Sequence, residues 1–331
     1  MVPLLILLAG GLLSTSVLGA PNEAGGGVIA SITAVDQSGE TSPVLAEEEN
    51  SVSIGRYGTA LYWGIGLFAI VVVGVIIFIR AWWIPPGYGP FWPVRPETLI
   101  GGWIVILLAS SAGGFLSTRF LAERSPLEQQ ALTMIVVYVI SLLIIGVLLV
   151  LIARARQAFA GEVELRPTPG ATVIVWGVIG FIAAFPVAQA LGAVVGQIQA
   201  WLSGLEPDAI AHETLKGLSE APGSPWAIVV MVLVVVMAPI VEEFSYRGLV
   251  QQSLRGLGAN RFSAILLTSF LFVFMHVPVL PPASMAPAVV TLLTVSLFLG
   301  WLYERTGQLA VPIIAHALFN AANLALLTLS F

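Results

Sequence analysis

The chain contains no cysteine, which removes disulfides, thiolate metal sites and thiol nucleophiles together. Any catalysis must then use carboxylates, imidazoles, hydroxyls or amides. Charge is nearly as scarce, since only 9% of the 331 residues are Asp, Glu, Lys or Arg while 58% are hydrophobic. That balance excludes an ordinary soluble domain and describes a polytopic membrane protein. The thirteen basic residues are dispersed and the net charge is -5, so nothing points to nucleic acid as a partner. Sustained internal repeats are absent too, as are the paired Gly/Pro-broken helices that mark inverted-repeat transporters.

What the chain has in quantity is apolar runs of about 20 residues, the length that spans a bilayer. They fall near 58 to 79, 99 to 116, 131 to 153, 171 to 195, 226 to 246, 262 to 278, 288 to 303 and 309 to 329. The expected fold is therefore all-α: a polytopic bundle of about eight transmembrane helices with a polar intramembrane cavity. Trp82, Trp83, Trp92, Trp201, Trp226 and Trp301 crowd the run ends, as amphipathic rings do at headgroup level. Residues 1–20 read as a signal-peptide core or, lacking a basic leader, as an uncleaved anchor. Residues 21–55, with Glu47-Glu48-Glu49, read as an acidic disordered tail. The remainder divides into membrane helices over 56–196, an acidic outer loop over 197–225, and a polar-cored set of helices over 226–331.

Cytoplasmic loops hold the excess of Lys and Arg. With the tail outside, nine arginines (Arg80, Arg95, Arg154, Arg156, Arg166, Arg247, Arg255, Arg261, Arg305) fall inside, against Arg56, Arg119, Arg124 and Lys216 outside. The expected setting is a bacterial cytoplasmic membrane with the amino-terminal tail outside.

Function must be sought where ionisable groups interrupt the apolar runs, because such groups are costly in a bilayer and face a protein interior or a watery cavity. Three patterns qualify: Glu242-Glu243-Phe244-Ser245-Tyr246-Arg247, Phe272-Val273-Phe274-Met275-His276, and His316-Ala317-Leu318-Phe319-Asn320. Helical positions four apart differ by about 40° in direction, so Glu243 is poised to pair with Arg247 while Glu242 points about 100° away. The pair reads as structural support. Glu242 is left as a candidate general base. Counted from Leu257, Glu242 lies fifteen residues up one arm of a hairpin and His276 nineteen up the other, a height difference of about 6 Å. Both can reach one water. His316 and Asn320 share a face of the last helix and suit donation to an oxyanion, although His316 sits only about 12 Å in from the preceding turn. Phe272 is read as orienting His276, Tyr246 as lining the cavity, and Ser245 as a weak nucleophile candidate without a triad; His212 and Glu304 carry no role.

These three motifs, in this order, resemble those of the CPBP intramembrane proteases: the type II CAAX prenyl proteases, their Abi relatives and the Ras-converting-enzyme-like endopeptidases. The resemblance runs from about Pro239 to Asn323 and extends to Gly300-Trp301-Leu302-Tyr303-Glu304-Arg305-Thr306-Gly307. It implies an endopeptidase acting on membrane-associated protein or peptide substrates, CAAX-like ones among them, in contact with the lipid bilayer. In that role Glu242 and His276 would activate water, His316 and Asn320 would stabilise the tetrahedral oxyanion, and Glu243 with Arg247 would support the site. No departure occurs at these positions.

Members of this family are often labelled metalloproteases, and a zinc ion would take Glu242, His276 and His316 as ligands. Those ligands lie on three separate runs rather than on one His-Glu-x-x-His helix, which favours a metal-free glutamate mechanism with no cofactor. Two other function classes stay open: a non-catalytic immunity or scaffold protein of the same fold, and a proton-coupled transporter.

Overall fold

Prolines and capping side chains punctuate the apolar runs where helices begin. Pro96 and Pro225 sit in the first turn of their helices, where the missing N–H costs nothing. Ser224 Oγ accepts from Trp226 N and Asn260 Oδ1 accepts from Ser263 N, so two helix starts carry side-chain caps. Gly307, at φ 65°, closes another helix in the left-handed conformation that glycine enters without strain.

A computed structural model describes residues 94–158, 170–203, 218 and 223–329. Its helices are α1 (Pro96–Phe120), α2 (Pro126–Ala158), α3 (Gly170–Ser203), α4 (Pro225–Gly256), α5 (Arg261–Phe274), α6 (Met285–Thr306) and α7 (Ala310–Leu329). No strand occurs among the described residues. The protein is an all-α bundle and an integral membrane protein: α1 to α6, the last two taken with their adjoining turns, are long and apolar enough to cross a bilayer, and α7 is a shorter apolar helix. These seven elements coincide with seven of the eight expected runs. The first run, the amino-terminal segment and tail, and His212 lie outside the described residues. α3 continues to Ser203, past the point where the outer loop was expected to begin.

Among the described residues apolar side chains form four buried groups, two of them large. One gathers Ile106 of α1, Val137 of α2 and Val241 of α4; the other gathers Ala188 of α3, Leu299 of α6 and Val311 of α7. Other apolar side chains, among them Leu143, Ile182, Phe262 and Phe274, point outward, which in water would be a liability and in lipid is the solvated state.

Glycines set the closest approaches of α3. A Cβ at Gly177 would lie 2.6 Å from Ile314 Cγ2 and 3.3 Å from the Val311 carbonyl oxygen. Such contact lets α7 lie directly on α3.

α4 joins the two large apolar groups. Its winding changes along its length: π-helical over Leu233–Met237, α-helical over Ala238–Glu243, then π-helical again over Phe244–Gln251. Single π turns within α-helices often lie at functional sites. Glu242, seventeen residues from Pro225 and fourteen from Gly256, sits near the midpoint of the helix.

Candidate active site

The two adjacent glutamates are both buried, Glu242 at 4% exposure and Glu243 at 0%, and they face different partners. Glu243 Oε1 accepts from Arg247 Nη1 at 2.9 Å and from His316 Nδ1 at 2.8 Å. Arg247 is itself fully buried and donates through Nη2 to the Ser296 carbonyl oxygen at 2.9 Å and to Ser296 Oγ at 2.8 Å. Its charge is thus met by one carboxylate and two neutral oxygens, and its guanidinium lies 5.2 Å from the Phe272 ring centre. The expected Glu243–Arg247 pair is present, and it also anchors a histidine on another helix.

α5 ends at Phe274 rather than running to residue 278, because Pro278 follows and the chain tightens into a turn. His276 N bonds to the Val273 carbonyl at 2.8 Å, which leaves the Phe272 carbonyl without its usual helical donor. His276 Nδ1 takes that place at 2.6 Å. A carbonyl oxygen only accepts, so Nδ1 carries the proton and the Nε2 of His276 is turned inward. The same argument holds for His316, whose Nδ1 donates to the Glu243 carboxylate.

Both inward-facing Nε2 atoms lie 4.0 Å from Glu242 Oε2. That separation is too long for a direct hydrogen bond, yet one oxygen about 2.8 Å from each atom spans it. The height mismatch expected for His316 disappears, since two helices and a turn deliver three side chains to one point. The rings are fixed from behind by Phe272, whose ring centre lies 4.4 Å from that of His276, 6.2 Å from that of His316 and 5.0 Å from that of Tyr246. Phe272 therefore orients both imidazoles rather than His276 alone.

Asn320 Nδ2 donates to the Val234 carbonyl of α4 at 2.9 Å, leaving its second amide hydrogen. Tyr246 is fully buried, and its hydroxyl finds no hydrogen bond among the described residues. Ser245 Oγ is likewise buried without such a partner. Glu304, which carried no role, is buried in α6, where its Oε1 accepts from Gln251 Nε2 at 3.0 Å and lies 3.6 Å from Arg255 Nε.

Two contributors from the first half of the chain went unrecognised. Tyr138 of α2 is 2% exposed and lies within electrostatic reach of Glu242, and Trp103 of α1 packs edge-on against Tyr246, with ring centres 6.5 Å apart. Single aromatic residues in apolar runs carry no spacing signal, so only topology finds them. Ser296 is equally inconspicuous.

A zinc ion with bonds of about 2.0–2.1 Å in a tetrahedron sets neighbouring donors about 3.3 Å apart. Here each imidazole nitrogen stands 4.0 Å from the Glu242 oxygen, and no group of three His, Asp or Glu side chains among the described residues has metal-holding geometry. As spaced, the three side chains do not fit a shared zinc.

Residues 224–322 match the family model described as type II CAAX prenyl endopeptidase Rce1-like. This segment belongs to that family. The Rce1-like segment contains all three motifs, with His276 and His316, which face Glu242, while Tyr138 and Trp103 come from helices outside it. At the level of the family, this match supports an intramembrane endopeptidase. No curated protein and no solved structure matches it.

Proposed function

We propose that the protein hydrolyses peptide bonds of membrane-associated substrates, CAAX-like carboxyl termini among them, with Glu242 as general base. The observation that carries this reading is the convergence of two imidazole Nε2 atoms, each 4.0 Å away, on a single carboxylate oxygen buried at mid-helix.

A water within hydrogen-bond reach of Glu242 Oε2 and His276 Nε2 gives its proton to Glu242 as its oxygen attacks the scissile carbonyl. His316, with Nδ1–H held by Glu243, acts as an imidazolium whose Nε2–H stays on nitrogen and hydrogen-bonds the developing oxyanion, together with the free amide hydrogen of Asn320. Collapse of the tetrahedral intermediate then breaks the C–N bond, and the Glu242 carboxyl returns its proton to the leaving amine. Glu243 and Arg247 take no part in bond making; they hold His316. The site opens to the cytoplasmic side or laterally to lipid, in a bacterial cytoplasmic membrane with the amino-terminal tail outside.

The test is cleavage of a quenched-fluorescent peptide library, prenylated and unprenylated, by the purified full chain. Glu242→Gln keeps the side-chain shape and removes the base, so turnover should fall by about 10²–10⁴. A variant that cleaves as fast as wild type would refute the assignment, and the library separates CAAX-like from other substrates.

A further inference from the structure

α4 carries a proline in the worst place for a helix in lipid, its interior, where the ring removes a backbone donor. In the π-wound turn Leu233–Met237, the Ala238 N–H bonds to the Leu233 carbonyl, five residues back. The next bond in that register would run from residue 239 to the Val234 carbonyl. Residue 239 is proline, so that bond cannot form. The Val234 carbonyl accepts instead from Asn320 Nδ2, at 2.9 Å, from α7. Membrane helices tolerate internal prolines when a neighbouring helix satisfies the freed backbone group in this way.

The consequence reaches the site because a π turn adds one residue to the winding. Each residue of an α-helix turns the chain by about 100°, so whether this turn is α or π decides which face Glu242 occupies three residues after Pro239. We propose that Asn320 is a positioning residue for Glu242: it supplies the N–H that Pro239 lacks, holds the π turn in register, and so presents Glu242 to the two imidazoles. The positioning role rests on the assignment of Glu242 as the base, whereas the clamp itself does not. Asn320 and His316 together attach α7 to α4 at two points, Val234 on one side of Glu242 and Glu243 on the other.

Replacing the proline tests this directly, since Pro239→Ala restores a backbone donor for the Val234 carbonyl. Four full-length proteins are compared: wild type, Asn320→Leu, Pro239→Ala and the double variant. Hydrogen exchange of peptides covering residues 233–243, without substrate, should rise at least tenfold in Asn320→Leu and return toward the Pro239→Ala value in the double variant. Peptide turnover should fall in Asn320→Leu, in kcat rather than KM, by at least tenfold more than the same substitution costs on Pro239→Ala, the loss that remains there being that of the oxyanion donor. Unchanged exchange in Asn320→Leu overturns the proposal whether or not the chain is a protease. Equal kcat losses in both backgrounds overturn it as well, because an amide that only donates to the oxyanion is indifferent to Pro239. If Asn320→Leu does not purify as a folded species, the double variant is expected to; failure of both also overturns the clamp. Should wild type cleave no substrate, the exchange comparison still decides the clamp, and the functional reading fails separately.

Discussion

The Glu243–Arg247–His316 contact makes the most exacting prediction, because one carboxylate oxygen serves a structural charge and a site histidine at once. In Glu243→Gln the fully buried guanidinium of Arg247 loses its direct counter-charge and keeps only neutral acceptors, the new amide oxygen and the two oxygens of Ser296. Breaking a buried pair by removing one partner costs about 3–5 kcal/mol. Glu242 remains within electrostatic reach of Arg247, which puts the expected loss at the lower end, about 3 kcal/mol. On the scale of soluble domains of about 150–250 residues that corresponds to a fall in thermal midpoint of about 6–12 °C.

Replacing both members by apolar side chains of similar volume, Glu243→Leu with Arg247→Met, leaves no stranded charge and is expected to be neutral or stabilising. Stability then returns, but activity does not, because His316 Nδ1 still lacks its acceptor and the ring loses the hydrogen bond that turns Nε2 toward Glu242. A loss in kcat of about 100-fold should persist, the lower range of a misplaced acid–base group. Thermal unfolding of the intact protein followed by tryptophan fluorescence, paired with peptide cleavage at saturating substrate, reads both quantities. Recovery of activity together with stability would show that Glu243 is a counter-ion and nothing more; an unchanged midpoint in Glu243→Gln would show that the pair is not held as described.

Three further outcomes are expected. Tyr138→Phe removes only a hydroxyl near Glu242 and should lower kcat about tenfold, equivalent to about 1.4 kcal/mol, without moving the thermal midpoint; full activity would dissociate α2 from the site. Chelators should leave turnover unchanged, and loss of activity restored by stoichiometric zinc would overturn the metal-free mechanism. Gly177→Ala places a methyl 2.6 Å from Ile314 Cγ2 and close to the Val311 carbonyl, so it should cost about 1–3 kcal/mol in stability through overpacking, measured as a lowered unfolding midpoint.

Much of this arrangement was legible in the residues themselves. Apolar run length delivers the helices because a bilayer imposes one length on every span, and the i, i+4 relation delivers Glu243–Arg247 because both residues lie on one helix. The convergence on Glu242 was legible only as an approximate height match, since spacing along a chain says nothing about the tilt of α7 or about the turn that takes His276 off the end of α5. The α6 partner of Arg247 could not be read, and the backbone partner of Asn320 is not marked by its own residue. Ser296 and the Val234 carbonyl are ordinary groups made important by the helices that pass them. Pro239 did carry a signal: a proline three residues before two buried glutamates leaves a carbonyl that something must satisfy, and Asn320 is a polar side chain in the last apolar run able to do so.

The polar residues of α4 show how a buried carboxylate can sit at mid-helix without loosening the bundle. Arg247 and Gln251 are four apart, and they bond to Ser296 and Gly300, also four apart, on α6. Equal spacing on both helices makes a ladder of two rungs, extended at its end by Glu304 and Arg255. Each rung satisfies buried donors that would otherwise weaken the contact. That ladder occupies the face led by Glu243, about 100° from Glu242, so the charges that fix α4 against α6 are kept apart from the carboxylate proposed as the base. A substitution on the ladder, such as Gln251→Leu, should therefore lower stability while leaving KM and the pH profile of the surviving activity intact. A substitution at Glu242 should do the reverse. A Gln251→Leu protein with an altered pH profile would mean that the two faces are coupled and that α4 moves as one unit during turnover.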